Sequence, residues 1–260
     1  MLHFIVTAGG TVEDIDEVRK ITNTSTGQLG ICLAEEIIKY MEQAGEQDYQ
    51  IHYIVTSTAI KPDLFNEEMD HVTLYEVTDT KSVLNTINEL FDRYTIDYFI
   101  HSMAVSDFTA NHMIPMKKLA EEIKLKLEST DKEQWLEAIE HTLKNPKAIM
   151  DRSRKISSDD DMILALKKTT KIISLLKEKN KELFLVGFKL LKNVSEEELI
   201  RTANLLAEKN ECDLMLANDL ESINQGIHQG ILIKNKEVLG KYEGKRNIAK
   251  AIVYQMLKNR

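Results

Sequence analysis

Short apolar segments alternate with amphipathic segments along most of the chain. The apolar segments are too short to be buried helices and are bounded by glycine or polar residues, which is typical of strands inside a sheet. They cover residues 2–7, 51–56, 72–77, 97–102, 183–188 and 213–217. Apolar residues at helical spacing predict helices over residues 27–41, 79–93, 170–179, 196–209 and 245–257. This alternation predicts an α/β fold with a doubly wound, mostly parallel, Rossmann-like sheet.

Residues 109–154 interrupt this alternation. The segment is charged and contains two of the three prolines, and its apolar positions predict amphipathic helices over residues 116–127 and 132–143. We therefore expect a single α/β domain over residues 1–260, with an inserted helical arm over residues 109–154 that covers the ligand site or a dimer contact.

The segments that follow the arm return to the earlier pattern. A polar hinge over residues 155–161 precedes a short predicted strand over residues 162–166. Near the end of the chain, residues 230–233 and 236–239 predict a hairpin.

Composition and charge exclude several classes of protein. The chain has 260 residues with 34 Lys+Arg and 42 Asp+Glu, a formal charge of −8, so it repels nucleic-acid backbones at long range. No apolar run approaches the ~20 residues that cross a bilayer, and the first residues lack the basic segment of a signal peptide. Two distant cysteines, Cys32 and Cys212, fit a reducing compartment. We expect a cytoplasmic protein that binds neither nucleic acid nor membrane.

Two glycine-containing segments lie where a parallel sheet binds its ligands, beyond the carboxyl ends of the strands. Gly9, Gly10 and Thr11 follow the first strand, and residues 24–30 begin the first long helix with the sequence T-S-T-G-Q-L-G. Backbone N–H groups and hydroxyls at a helix amino end form an anion site. A glycine turn followed by a Ser/Thr helix cap explains the same residues, and the residues alone leave both interpretations open.

The sequence lacks the motifs of several well-known sites. It contains no G-x-x-x-x-G-K-S/T, no H-E-x-x-H and no G-x-S-x-G. It also lacks G-x-G-x-x-G and an acidic residue at the end of the second strand, which counts against a nicotinamide-dependent dehydrogenase. The predicted site therefore binds an anion through backbone and hydroxyl groups, without a hydrolytic triad.

The long loop between the first strand and the first helix is a second candidate for function, because loops of this length are seldom mere connections. Arg19 in this loop would be placed to hold a phosphate or carboxylate near the helix amino end. The alternative is a surface ion pair with Glu13, Asp14 or Asp16.

The same region resembles the phosphopantothenate–cysteine ligases. The resemblance rests on T-A-G-G-T at residues 7–11 and on I-D-x-V-R-x-I-T-N-x-S-T-G-x-L-G at residues 15–30. Four further segments match in the family's order: M-A-V-S-D-F at 103–108, K-I-S-S at 155–158, V-G-F at 186–188 and L-A-N-D at 216–219. Together they cover most of the chain outside the insertion.

The resemblance implies a reaction. These ligases join phosphopantothenate to L-cysteine through an acyl-nucleotide intermediate, using CTP or ATP with Mg²⁺, and release a nucleoside monophosphate and pyrophosphate. Bacterial members usually use CTP, and the family is typically dimeric. Because no flavin-dependent decarboxylase segment precedes the ligase motifs, we expect that decarboxylase to be a separate partner.

The resemblance also assigns three catalytic residues. Asn23 is expected to donate a hydrogen bond to the acyl oxygen as it gains charge, and Lys155, on a mobile loop, to lie over the triphosphate. Arg19 completes the set. An Asx turn for Asn23 and a solvent-facing position for Lys155 are the alternatives.

Further residues are expected to bind the nucleotide, with Asp107 reading the base and Phe188 stacking on it. A helix-cap role for Asp107 and a core position for Phe188 are the alternatives. The nucleotide-binding residues implied by the resemblance are Gly9, Gly10, Thr11, Ser25, Gly27, Met103, Ala104, Asp107, Thr170, Lys171, Ile172, Ile173, Phe188 and Lys209.

The chain departs from the family pattern at its lysines. Gln28 stands where many bacterial members have lysine, and Ser157 and Ser158 replace a lysine pair. Fewer positive charges therefore face the phosphates. This difference leaves open a nucleotide-binding protein without ligase activity, such as a sensor or a partner subunit.

Overall fold

A computed structural model describes residues 1–61, 70–151, 161–221 and 227–258. Its strands, in chain order, are β1 (Leu2–Ala8), β2 (Val12–Asp14), β3 (Lys20–Thr22), β4 (Tyr49–Thr56), β5 (Val72–Val77), β6 (Tyr98–His101), β7 (Phe108–Pro115), β8 (Met162–Lys168), β9 (Phe184–Leu191), β10 (Leu214–Asp219), β11 (Gln229–Lys234) and β12 (Glu237–Glu243).

The α-helices of the described ranges follow the predicted segments closely. They are α1 (Gln28–Ala44), α2 (Thr80–Arg93), α3 (Met116–Glu128), α4 (Trp135–Lys144), α5 (Ile173–Lys179), α6 (Glu196–Lys209) and α7 (Lys245–Leu257). None of them combines the length and the hydrophobicity needed to cross a membrane.

The chain forms two compact units. The first comprises Met1–Thr11, Asn23–Val105 and Lys171–Arg260, and the second comprises Val12–Thr22 and Ser106–Thr170.

The first unit contains a sheet with the strand order β12-β11-β10-β9-β6-β1-β4-β5. Neighbours from β10 to β5 pair in parallel, and the predicted hairpin β11–β12 joins β10 antiparallel. The strand order reverses between β1 and β6, which makes their carboxyl ends the expected ligand site of a doubly wound sheet. The predicted α/β fold with a mostly parallel sheet is confirmed.

Helices cover both faces of this sheet. Phe4 and Val6 of β1 pack in a cluster with residues of α1 and α7, whereas Ile5 packs in a second cluster with residues of α2 and α5. Burial on both faces explains why these strands contain continuous runs of apolar residues rather than alternating apolar and polar residues.

The second unit contains two antiparallel strand pairs, β2–β3 and β7–β8. The predicted helices over residues 116–127 and 132–143 are present as α3 and α4, and the strand predicted over residues 162–166 lies within β8. The sequence pattern did not predict β7. This strand has a bulge between Ala110 and His112, which breaks the two-residue periodicity that reveals a strand.

Gly30 sets how closely α1 approaches the sheet. A β-carbon at this position would lie 2.6 Å from the β-carbon of Ala8 and 3.0 Å from the hydroxyl of Tyr53. Carbon atoms do not approach each other so closely, so α1 rests on β1 because residue 30 has no side chain.

We expect Gly30→Ala to destabilise the protein by about 1–3 kcal/mol, because the clash with Ala8 outweighs the better helix propensity of alanine. Ala8→Gly removes the nearest atom, so the double variant should be more stable than the sum of the single changes predicts. Urea unfolding of the four proteins measures this coupling. Strictly additive effects would mean that Ala8 does not limit the approach of α1.

Two buried histidines, His52 and His101, lie on the strands of the first unit. His52 Nε2 lies 3.1 Å from His3 Nδ1, and His101 Nδ1 lies 3.2 Å from the hydroxyl of Thr7. Burial lowers the pKa of His52 to about 4 and the pKa of His101 to about 4. Both rings are therefore neutral in the folded protein at pH 7.

Acidification should destabilise the fold through these rings. Their pKa in the unfolded chain is about 6.5, so the unfolded state binds more protons than the folded state below that pH. Each ring therefore lowers the free energy of unfolding by about 2 kcal/mol between pH 7 and pH 5. We expect the free energy of unfolding of His52→Gln, measured in urea, to fall by about 2 kcal/mol less than that of wild type over this pH interval. An equal loss in the two proteins would contradict this assignment.

Candidate functional site

The carboxyl ends of β1 and β6 are joined through Ala104. The Ala104 N–H donates to the carbonyl oxygen of Gly9 at 2.8 Å, and the Thr11 N–H donates to the carbonyl oxygen of Ala104 at 3.1 Å. These bonds extend the pairing of β1 and β6 past their ends. They fix two segments that both contain residues expected to bind the nucleotide.

Both glycines of this turn are required by close packing. Gly9 has a φ of +92°, and a β-carbon there would lie 2.1 Å from the hydroxyl oxygen of Thr56. A β-carbon on Gly10 would lie 2.1 Å from the carbonyl oxygen of Asn23. No larger residue fits either place, because a left-handed φ or a backbone clash forbids it.

Asn23 is held against the same turn. Its backbone N–H donates to the carbonyl oxygen of Thr11 at 3.4 Å, and its side-chain Nδ2 donates to the carbonyl oxygen of Ala104 at 3.3 Å. The side chain is half-buried. The structure thus brings together Gly9, Gly10, Thr11, Asn23 and Ala104, all of which were candidates from the sequence.

The amino end of α1 lies a few residues after Asn23. Its cap residue, Gly27, has a φ of +75° and makes no side-chain cap bond, and the N–H of Gln28 donates to the hydroxyl of Thr26 at 3.5 Å. The first amides of a helix have no partner within it, so such an end attracts anions. Ser25, just before it, is half-buried.

A cavity of about 330 Å³ lies between these segments, at the carboxyl edge of the sheet. It is lined by Thr24, Ser25, Thr26, Gly27, Gln28, Leu29, Gly30, Ser102, Met103, Ala104, Phe188, Leu190, Asn218, Leu220, His228 and Lys245. Five of the predicted nucleotide-binding residues are therefore close together: Ser25, Gly27, Met103, Ala104 and Phe188.

The cavity lining includes Asn218, His228 and Lys245, which were not among the sequence candidates. Asn218 is the next-to-last residue of β10, His228 precedes β11, and Lys245 begins α7. Asn218 belongs to the L-A-N-D segment and lies near a strand end, so the rule that parallel sheets bind ligands there could have found it. No comparable signal marks His228 or Lys245.

These three residues differ in their partners. Within the described part of the chain, the Asn218 Oδ1 and both ring nitrogens of His228 are buried without a hydrogen-bond partner. Lys245 Nζ donates to the Gln28 Oε1 at 2.5 Å. Burial and the nearby Lys245 ammonium lower the pKa of His228, which keeps its ring neutral at pH 7.

Four other candidates of the first unit lie outside the cavity lining. Lys171 is exposed, whereas Ile172 is buried in the cluster that contains Met103 and Ile173 packs against that cluster. Lys209 is exposed at the end of α6, which leads into the amino end of β10. The cavity is at the carboxyl end of β10, so the structure does not bring Lys209 to it.

The second unit holds Arg19, Asp107 and Thr170, and all three are exposed. The Arg19 guanidinium pairs with Asp16 at 2.5 Å, which is the surface ion pair that the sequence left as an alternative. Hydrogen bonds from the side chain and the backbone of Arg19 lower the pKa of Asp16 to about 2. The carbonyl oxygen of Asp107 accepts a hydrogen bond from the Thr169 N–H at 3.0 Å.

Lys155 lies outside the described residues, as do Ser157 and Ser158. The remaining residues contain no group of three or more His, Cys, Asp and Glu side chains that could hold a metal ion.

Comparisons with known proteins identify the family of this chain. A family model described as the DNA/pantothenate metabolism flavoprotein C-terminal domain matches residues 1–150 and 144–259. The coenzyme A biosynthesis bifunctional protein CoaBC of Methanocaldococcus jannaschii is 28% identical over 219 residues, which are 83% of this chain and 40% of that protein. The chain thus spans less than half the length of the curated relatives it matches.

Solved structures show the same fold. The DNA/pantothenate metabolism flavoprotein from Streptococcus pneumoniae is 33% identical, covers 100% of both chains and superposes with a TM-score of 0.76. A Cab2 variant in complex with phosphopantothenate-cysteine is 16% identical, with a TM-score of 0.68 over 99% of this chain and 86% of that one. The family match covers almost all of the sequence, and so this chain belongs to the DNA/pantothenate metabolism flavoprotein C-terminal domain family.

Proposed function

We propose that this chain is a phosphopantothenate–cysteine ligase of coenzyme A biosynthesis. The observation that carries the proposal is the hydrogen bond from the Asn23 amide to Ala104, beside a cavity that the amino end of α1 also lines. This arrangement places a neutral hydrogen-bond donor next to an anion site, at the reversal point of a doubly wound sheet.

The related proteins support this assignment. Those that match this chain over most of its length are named as bifunctional proteins of coenzyme A biosynthesis. The Cab2 variant, which shares the fold, was solved with phosphopantothenate-cysteine bound. That compound is the product of the reaction that we propose here.

The reaction has two half-reactions. In the first, the carboxylate of phosphopantothenate attacks the α-phosphorus of the nucleotide, and pyrophosphate leaves. In the second, the cysteine amine attacks the acyl carbonyl, and the nucleoside monophosphate leaves. Both depend on holding the reactants in the geometry of attack and on stabilising charge that develops on oxygen.

Asn23 is suited to the second half-reaction. Its hydrogen bond to the carbonyl oxygen of Ala104 orients the side-chain amide. A neutral amide donates a hydrogen bond and keeps its proton. We assign it to the acyl oxygen, which gains negative charge as the cysteine amine attacks. Because the backbone of Gly10 and Thr11 holds Asn23 in place, little reorganisation is needed.

The nucleotide belongs beside Met103 and Ala104 in this proposal, and Phe188 offers an aromatic face to its base. The ammonium of Lys155, whose position rests on the K-I-S-S match, would neutralise the triphosphate. Mg²⁺ would arrive with the nucleotide, since this ion is usually held by phosphates and few protein ligands.

Further parts of the proposal concern the setting of the reaction. We infer CTP as the nucleotide, a homodimer as the assembly and the cytoplasm as the location. The bifunctional names of the relatives support association with a flavin-dependent decarboxylase.

Pyrophosphate release tests the function directly. We expect release from the purified protein only when phosphopantothenate, Mg²⁺ and CTP or ATP are all present, and phosphopantothenoylcysteine to form only when L-cysteine is added. Pantothenate in place of phosphopantothenate is the control for the acyl substrate. Nucleotide binding without pyrophosphate release under any of these conditions would favour a sensor or partner subunit instead.

Two substitutions should separate the half-reactions. Asn23→Ala should slow the cysteine step about 10²–10³-fold, the usual cost of losing one oxyanion donor, and leave a normal first burst of pyrophosphate. Lys155→Ala should slow the burst itself. Rapid-quench measurement of pyrophosphate and of nucleoside monophosphate distinguishes the two steps.

Lys117→Ala is the matched control, because Lys117 is an exposed lysine on α3 and has no assigned role. Its burst and its turnover should equal those of wild type. An Asn23→Ala protein that loses both half-reactions equally would refute the role given to the amide.

A further inference from the structure

A buried hydrogen-bond chain lies behind the turn that follows β6, and the proposed chemistry does not use it. Its members are Thr7 of β1 and His101 of β6, which are 0% and 9% exposed. Alternate residues of a strand share a face, so Thr7 lies on the face of Ile5, and His101 lies on the face of Phe99. Ile5 and Phe99 pack with residues of α2 and α5, so the chain is on the face of the sheet opposite to α1.

Thr7 contacts three consecutive residues at the end of β6. Its hydroxyl oxygen lies 3.2 Å from His101 Nδ1 and accepts a hydrogen bond from the Met103 N–H at 3.2 Å. Its carbonyl oxygen accepts a hydrogen bond from the Ser102 hydroxyl at 2.5 Å. One residue of β1 therefore holds the start of the turn that leads to Ala104.

The direction of the bond between Thr7 and His101 follows from the partners that are present. A hydroxyl has one proton and two lone pairs, and the Met103 N–H occupies one lone pair. The described part of the chain offers the hydroxyl proton no acceptor besides His101 Nδ1. The hydroxyl therefore donates to Nδ1, and the ring carries its proton on Nε2. Burial lowers the pKa of His101 to about 4, which keeps Nδ1 unprotonated at pH 7.

The turn that Thr7 holds also carries the acceptor of Asn23. The carbonyl oxygen of Ala104, the residue after Met103, accepts a hydrogen bond from Asn23 Nδ2 at 3.3 Å. A buried N–H that loses its acceptor costs free energy, so without the Thr7 hydroxyl the turn would rotate at Met103 to recover a partner. Such a rotation moves the Ala104 carbonyl, because a planar peptide unit joins the two residues.

We propose that the Thr7 hydroxyl, oriented by His101, is a positioning group for the Asn23 amide. It acts through Met103 and Ala104 and does not touch the substrates. This inference rests on the proposed function, in which Asn23 donates to the acyl oxygen. It adds the buried groups that set the orientation of that donor.

Thr7→Val tests the positioning role in a double-mutant cycle with Asn23→Ala. Valine keeps the shape of threonine without the hydroxyl, so the cysteine step should slow about 10-fold, less than when the amide itself is removed. In an Asn23→Ala protein, the same substitution should change that step by less than about twofold, because no amide is left to position. Rapid-quench measurement of the four proteins gives the coupling. Equal factors in the two backgrounds would overturn the proposal.

Two further variants separate the hydroxyl from the fold. Thr7→Ser keeps the hydroxyl, so its cysteine step should stay within about threefold of wild type. His101→Leu leaves the acceptor of the Met103 N–H but frees the hydroxyl to rotate, so its rate should lie between those of wild type and Thr7→Val. A wild-type rate in His101→Leu would remove the histidine from the proposal.

Thr142→Val is the matched control. Thr142 is a buried threonine of α4 whose hydroxyl donates to the carbonyl oxygen of Ala138 at 2.9 Å. The substitution also removes one buried hydroxyl and one hydrogen bond, so it should lower the stability in urea to a similar extent. Both half-reactions should keep their wild-type rates. A cysteine step as slow as that of Thr7→Val would mean that lost stability alone explains the effect.

Nuclear magnetic resonance of the free protein gives readouts that need no activity. The nitrogen shifts of His101 should show an unprotonated Nδ1 and a protonated Nε2. The side-chain amide signals of Asn23 should move in Thr7→Val and return in Thr7→Ser. A protonated Nδ1, or Asn23 signals that stay in place in Thr7→Val, would contradict the proposed chain of contacts.

The two proposals fail in different ways. If wild type releases no pyrophosphate but the Asn23 signals respond to Thr7→Val, the ligase function is wrong and the positioning of the amide stands. If wild type turns over and the cysteine step of Thr7→Val is as fast as that of wild type, the ligase function stands and the positioning role is wrong.

Discussion

The site depends on the close approach between Gly10 and Asn23. The carbonyl oxygen of Asn23 occupies the space that a β-carbon on residue 10 would need. This approach sets the return of the chain beside the end of β1, where the Asn23 side chain reaches Ala104. Backbone hydrogen bonds join Thr11 to Asn23, and join Gly9 and Thr11 to Ala104, and backbone contacts move less than side-chain contacts. A site built in this way presents its amide in a set orientation before any substrate arrives.

An acidic chain needs positive charge close to any site that binds an anion. The formal charge of −8 repels phosphates at long range, but screening at physiological salt confines that effect to about 8 Å from each exposed charge. The described lining of the cavity contains Lys245 and no carboxylate. The amino end of a helix adds partial positive charge without an additional basic side chain. Local arrangement therefore decides what binds, and net charge does not.

The sequence predicted those features whose signal is local or carried by a motif. Continuous apolar runs revealed the parallel strands, and the T-A-G-G-T and T-N-T-S-T-G segments revealed the turn and the start of α1. Sequence patterns do not reveal a feature that depends on contacts formed only in the folded protein. The bulge in β7 hid that strand. The sequence left Arg19 open to a phosphate, a carboxylate or an ion pair, and in the structure its guanidinium pairs with Asp16. His228 and Lys245 could not be found, because only the fold carries them to the cavity.

Gln28 shows why a departure from a motif must be judged in the fold. On the sequence alone, glutamine in place of the lysine of many bacterial members removes a positive charge from the start of α1. In the structure, the amide oxygen of Gln28 accepts a hydrogen bond from Lys245, so α7 supplies a cation at the same helix end. A lysine at position 28 would lack that acceptor and would repel Lys245. The pair therefore keeps the positive charge beside the cavity, and the thinner set of lysines in the sequence is no argument against an anion site.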